Sequence, residues 1–188
     1  MVRFRPVKQQ FHHDPANGSW GDCFRACLAS LLGLPLGDVP HFMDKGVGSE
    51  AAGVASRAWL GARGLMLVEI PMTGDLDPVL STIETFNPGL LFMLSGHSRT
   101  GCDHCVICQG GRIIHDPSLI DAGIIGPCQG SEPPLYWISF LSPVEPQITA
   151  PAPVIEEPRV PRRPPLGGDP MRPTTGDRDP RCGGRPHP

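Results

Sequence analysis

The spacing of apolar positions changes several times along the chain. Between Cys23 and Leu32 they fall at 24, 28, 31 and 32, the interval at which one face of a helix recurs, and Asp22 precedes them as an N-cap. Gly33 and Pro35 stop that helix. A turn or short helix is expected over residues 38–42, and the Ala-rich stretch 49–62 predicts a second helix with Trp59 on its apolar side. Residues 65–70 read as a strand, and residues 76–86 as a third helix capped by Asp75. Then come an unbroken apolar run at 90–94, two short strands at 104–108 and 112–116 around Gln109-Gly110-Gly111, and a last strand at 135–141. Helices first and antiparallel strands later predict an α+β domain.

The register of the hairpin decides which side chains meet. A three-residue loop, Gln109-Gly110-Gly111, pairs Cys108 with Arg112 and sets His104 opposite Asp116, with Cβ atoms about 4.5–5.5 Å apart on one face. A two-residue Gly110-Gly111 loop pairs Asp116 with Cys105, turns it away, and gives the face of His104 to His115. The three-residue loop is the expected one.

Composition limits how much of the chain can fold. The sequence holds 24 Pro and 23 Gly in 188 residues, and 13 of those Pro lie in the last 46. That stretch is nearly bare of aliphatic residues after Val160, so burial cannot offset its ordering entropy. The expected organisation is a folded domain over residues 1–142 and a disordered Pro/Arg-rich tail over residues 143–188. Cys182 sits in the tail as a bystander. The tail's Pro161-Arg162-Arg163-Pro164-Pro165 suits a polyproline II docking segment.

A formal charge of −3 excludes a globally basic nucleic-acid binder, and nucleic acid is not an expected partner. No apolar stretch approaches the roughly 20 residues that span a bilayer, so no membrane partner is expected. The N-terminus has no signal-peptide pattern, and seven Cys is an odd count. Free thiols in a reducing, cytoplasmic compartment of bacterial or viral origin are therefore expected.

Cys23 opens its helix, where unpaired N–H groups and the helix dipole favour the thiolate, the nucleophilic form. A thiol nucleophile needs a base, and the base needs an orienting group. His104 and Asp116 supply both if the hairpin register brings them together. Cys102, His104, Cys105 and Cys108 form a competing zinc constellation. Cys105 and Cys108 have opposite strand parity, however, and a structural site usually holds two separated ligand pairs, so no metal and no cofactor is expected. His12, His13 and Asp14 read as a solvated loop, and His41 and His97 show no partner in sequence. There is no phosphate-binding loop, no dinucleotide fingerprint and no serine-hydrolase elbow.

Gly21-Asp22-Cys23-Phe24-Arg25-Ala26-Cys27-Leu28-Ala29-Ser30, followed by His104-Cys105-Val106-Ile107 and His115-Asp116-Pro117, resembles the double-glycine leader peptidases attached to bacteriocin exporters. It is similar too to small phage and bacterial proteins of the same pattern. The resemblance implies a papain-like fold, with N-terminal helices packed on a small antiparallel sheet. It implies Cys23 as nucleophile, His104 as base and Asp116 as its orienter. A Gln before the Cys completes the oxyanion hole in that family, together with the Cys backbone N–H. The candidates here are Gln9, in the better local context, and Gln10. The family's Gln stands nearer the Cys, at the place Asn17 occupies, so either a loop is inserted after Gln9, or Asn17 is the donor, or the hole is incomplete. Nothing resembles the exporter's membrane or ATPase regions.

The function so implied is a thiol hydrolase, a peptidase, isopeptidase or amidase, that works on a peptide or protein substrate through a thioester. The alternative is a catalytically inactive binding protein of the same fold that docks a partner through its Pro/Arg-rich tail.

Overall fold

The computed structural model describes residues 4–130 and 132–144; of the expected tail, residues 145–188, with Pro161 to Pro165 and Cys182, lie outside the described residues. The first helical interval forms α1 (Cys23–Leu32), ended by Gly33 at φ 66°, a left-handed conformation that glycine adopts without strain. Asp22 stands at the N-cap but makes no side-chain cap bond. Its carboxylate turns the other way. Oδ1 accepts the backbone N–H groups of Gln10 at 2.9 Å and Phe11 at 2.8 Å, and Arg25 lies 3.3 Å from Oδ2. A capping carboxylate competes for any unpaired N–H nearby, and here the incoming chain supplies better-placed ones.

The turn expected over residues 38–42 splits into two single 3-10 turns, Leu36–Asp38 and Asp44–Gly46. The second helix, α2, runs Ser49–Gly61, with Trp59 edge-on to Phe42 in the core. Strand β1 is Leu65–Met72 and helix α3 is Asp77–Phe86. Asp75 Oδ1 accepts the Asp77 N–H at 3.1 Å, so the expected cap acts one residue outside the formal N-cap, Leu76. The remaining strands are β2 (Leu91–His97), β3 (Asp103–Gln109), β4 (Arg112–His115) and β5 (Tyr136–Pro143).

These strands make one antiparallel sheet in the order β1-β5-β2-β3-β4. Alternation along each strand divides the core in two. Met93, Cys105 and Ile107 pack with Leu28 of α1 and Leu60 of α2, while Phe92, Leu94, Val106, Cys108 and Ile138 pack with α3 residues such as Leu80 and Ile83. The domain is therefore α+β with helices on both faces of the sheet. This explains the unbroken apolar run in β2, a strand covered on both sides. No helix among the described residues is long and apolar enough to cross a membrane.

The hairpin register differs from the expected one. Gln109 pairs with Arg112 and Cys108 with Ile113, so the loop is the two residues Gly110-Gly111, with Gly110 at φ 57°. The ladder then slips, and Ile107 pairs with His115, leaving Ile114 as an unpaired extra residue. That bulge restores the strand parity that a two-residue loop would have reversed.

Candidate active site

Asp116 follows directly on β4. Continued one residue, the slipped register sets it beside Val106, so that His104 is its diagonal neighbour on the same face. The ring reaches across this diagonal, and Nε2 lies 2.7 Å from Asp116 Oδ1. A carboxylate can only accept, so Nε2 carries the proton and Nδ1 is the nitrogen left to accept another. His115 has the opposite orientation and is buried, 2.8 Å from the Val7 carbonyl through Nε2. The pair of His104 and Asp116 thus forms as expected, by bulge and diagonal rather than by direct opposition.

Asp116 is held by more than the imidazole. Oδ1 also accepts the Ser118 N–H at 2.8 Å, and Oδ2 accepts the Gly123 N–H at 2.7 Å. Burial acts to raise its pKa, but the Gly123 N–H, His104 and the Ser118 N–H outweigh it and hold the carboxyl below its ordinary value. The loop 116–123 therefore closes on the carboxylate that orients the ring.

Cys23 and His104 line the same cavity, of about 500 Å³, together with Gln9, Cys105 and Ser118. No hydrogen bond joins Cys23 Sγ to the imidazole in this structure. The thiol sits instead against Cys105. Burial pushes it up to about 12, neighbouring Cys105 adds to the rise, and the N–H groups of Cys105 and Phe24 oppose it. The helix start thus acts in the expected direction, since the Phe24 N–H belongs to the first turn of α1, but desolvation outweighs it. The resting thiol is neutral, contrary to the thiolate expected from the helix terminus alone.

Gln9 is buried, with Nε2 donating to the Phe11 carbonyl at 3.0 Å and Oε1 unpaired. Its backbone N–H donates to the Pro117 carbonyl at 2.9 Å, which ties it to the residue after Asp116. Gln10 is exposed and does not line the cavity. Asn17 is exposed in a 3-10 turn, bonded to Asp14 Oδ2 at 2.6 Å, and does not line it either. Of the three oxyanion candidates only Gln9 reaches the cavity. The chain between Gln9 and Cys23 makes an excursion closed by reciprocal Asp14 and Ser19 backbone bonds and returned to α1 by Asp22.

The zinc constellation is taken apart by the sheet, because Cys105 faces α1 whereas Cys108 is buried on the α3 side. Among the described residues no three His, Cys, Asp or Glu converge to hold a metal, and all six cysteines are free. His12 and His13 sit at the cavity wall, and His13 Nδ1 accepts the Gly21 N–H at 3.3 Å. His41, without an expected partner, stacks on Phe11 with ring centroids 5.6 Å apart. Sequence reasoning missed Asp22 as the buried organiser of the loop between Gln9 and Cys23, and nothing in the sequence distinguished that role from a cap. It also missed Lys8, which reaches across to the Asp116 loop.

Comparison of the chain with family models, with curated proteins and with solved structures gives no match.

Proposed function

We propose that this protein is a papain-like thiol hydrolase acting on an amide bond of a peptide or protein. The observation that carries the reading is the pair of His104 Nε2 and Asp116 Oδ1, 2.7 Å apart, with His104 in the wall of a cavity that Cys23, at the start of α1, also lines. A buried, carboxylate-oriented imidazole on a residue that lines one cavity with a thiol supplies the groups nucleophilic catalysis needs.

In this reading Cys23 Sγ attacks the substrate carbonyl carbon while its proton passes to His104 Nδ1. Because the resting thiol is neutral, proton transfer accompanies attack rather than preceding it, and the hydrogen bond to the imidazole tightens only when substrate is bound. Asp116 keeps the proton on Nε2 and stabilises the imidazolium that forms. The oxyanion is held by the Cys23 backbone N–H and by Gln9 Nε2. His104 then returns the proton to the leaving amine, and water attacks the thioester, with the same imidazole as base. A different amine reaching the thioester would give acyl transfer, and a side-chain carboxamide as substrate would give deamidation. The six free thiols among the described residues suit a reducing compartment such as the cytoplasm.

A library of peptides bearing a thiol-reactive electrophile at the C-terminus tests this. The expected result is a single adduct at Cys23 by peptide-mapping mass spectrometry, absent in Cys23→Ala and strongly reduced in His104→Ala. Labelling spread over Cys23, Cys102 and Cys128 alike, and indifferent to His104, would remove the enzyme reading.

A further inference from the structure

Two segments far apart in sequence are laced together beside the His104–Asp116 pair. The Val7 carbonyl lies 2.8 Å from His115 Nε2, and the Gln9 N–H donates to the Pro117 carbonyl at 2.9 Å. Between them, the Lys8 ammonium donates to the Asp116 carbonyl at 2.9 Å, to the Ser118 carbonyl at 2.7 Å and to Asp121 Oδ1 at 2.9 Å. An ammonium has three protons, and all three are used.

The choice of acceptors matters more than their number. The Lys8–Asp121 ion pair is exposed, with side chains 49% and 82% accessible, and such pairs contribute little alone. The other two acceptors are the carbonyl of the orienting residue itself and the carbonyl of Ser118, whose N–H bonds the same carboxylate. Asp116 holds the turn through the N–H groups of Ser118 and Gly123, and Lys8 holds the carbonyls of Asp116 and Ser118, the peptide units on either side of the Ser118 N–H. Asp121 adopts φ 50°, uncommon for a non-glycine residue, and Arg99 holds its carbonyl at 3.3 Å. Lys8 is also the peptide neighbour of Gln9, so one side chain ties the oxyanion candidate to the loop of the orienting acid.

We propose that Lys8 is a positioning residue for the Asp116–His104 pair: it fixes the backbone of the 116–118 turn so that the carboxylate stays on Nε2. The inference rests on the thiol-hydrolase reading for its functional meaning, but its physical content can be read separately. Nothing about Lys8 in the sequence announces it, since its acceptors lie 108, 110 and 113 residues away.

The test uses the full chain labelled with ¹⁵N-histidine, reading the His104 Nε2–H by ring-nitrogen correlation, with His104→Gln to assign the signal. In the wild type a protected Nε2–H is expected. Lys8→Met is expected to abolish that signal or to speed its exchange with water by roughly tenfold or more, as loss of charge-assisted bonds to the turn implies. Asp121→Asn, which discharges only the exposed partner and tolerates the left-handed backbone, is expected to leave it in place. A Lys8→Met protein that melts lower yet keeps its His104 signal makes Lys8 a mere clamp and overturns the proposal. So does an Asp121→Asn effect as large as that of Lys8→Met. Should Lys8→Met not fold, Lys8→Gln, with its shorter neutral donor, is read against the same two outcomes. Peptide-electrophile labelling of Cys23 is measured on the same samples. An unreactive Cys23 beside a Lys8-dependent imidazole signal would sink the hydrolase reading and keep the positioning.

Discussion

Replacing Asp116 by Asn separates the two tasks of its carboxylate, and the structure fixes which one is lost. Oδ1 takes two donors, His104 Nε2 at 2.7 Å and Ser118 N at 2.8 Å, whereas Oδ2 takes only Gly123 N at 2.7 Å. The amide oxygen will keep the position with two donors, so the new NH₂ faces the Gly123 N–H. One N–H then confronts another donor, at a cost of about 1–3 kcal/mol. The two bonds kept at Oδ1 change from charge-assisted to neutral and weaken by roughly half, which brings the total to about 2–4 kcal/mol. For a domain of this length that lowers the melting temperature by roughly 7–14 °C.

The pH dependence of that loss carries a definite sign. Asp116 has its folded pKa below the ordinary 3.8, because the N–H groups of Gly123 and Ser118 together with His104 outweigh the opposing effect of burial. Its stabilisation is therefore complete above the unfolded value and is lost as pH falls through the folded one. Urea or thermal unfolding followed by the fluorescence of Trp20, Trp59 and Trp137 should show a wide gap between wild type and Asp116→Asn at neutral pH. The gap should stay level down to about pH 5 and close in stronger acid. Equal stabilities at neutral pH, or a gap that widens in acid, would refute the assignment of this carboxylate as the organiser of its loop.

Other substitutions probe neighbouring parts of the argument. Gln9→Ala should cut turnover of a responsive substrate by about 10²–10³, the usual effect of losing an oxyanion donor, while Gln10→Ala and Asn17→Ala leave kcat unchanged; equal effects of all three would remove Gln9 from the site. Iodoacetamide should modify Cys23 in the folded protein more slowly at neutral pH than in urea, since burial raises the thiol to about 12; a folded-state midpoint below the free value of about 8.5 would reverse that conclusion. Gly96 faces His104 across the β2–β3 ladder, and a Cβ there would lie 2.5 Å from the Gly126 carbonyl oxygen and 2.7 Å from Ile124. Gly96→Ala should therefore destabilise the domain by about 1–3 kcal/mol through overpacking, and a melting temperature unchanged in that variant would contradict the close approach.

Local pattern made the elements of the fold legible. A 3.6-residue interval with a Gly and a Pro behind it places α1 to the residue, and the run at 90–94 announces a buried strand. What the pattern leaves open is which element covers which face. The apolar faces of α1 and α3 look alike in sequence, yet they pack on opposite sides of the sheet. Asp22 shows the same limit at a single residue. Its identity and position specify a cap, but a cap is only the nearest acceptor for an unpaired N–H, and the loop that returns from Gln10 and Phe11 brings closer ones.

The candidate site was more legible than the geometry that builds it, and strand parity explains why. The expected loop length was wrong by one residue, and that error alone would have turned Asp116 away from His104. The extra residue Ile114 flips the parity back. Two constraints outside the hairpin agree with that face. His115 is satisfied only if it points to Val7, and Asp116 is satisfied only if it receives the N–H groups of Ser118 and Gly123. A buried carboxylate or imidazole left unpaired costs more than one irregular residue on a sheet edge, so the bulge is the cheaper departure. The contact of His104 with Asp116 therefore follows from where polar groups can be satisfied. The turn that delivers it can vary in length, provided an even number of parity changes separates the two residues.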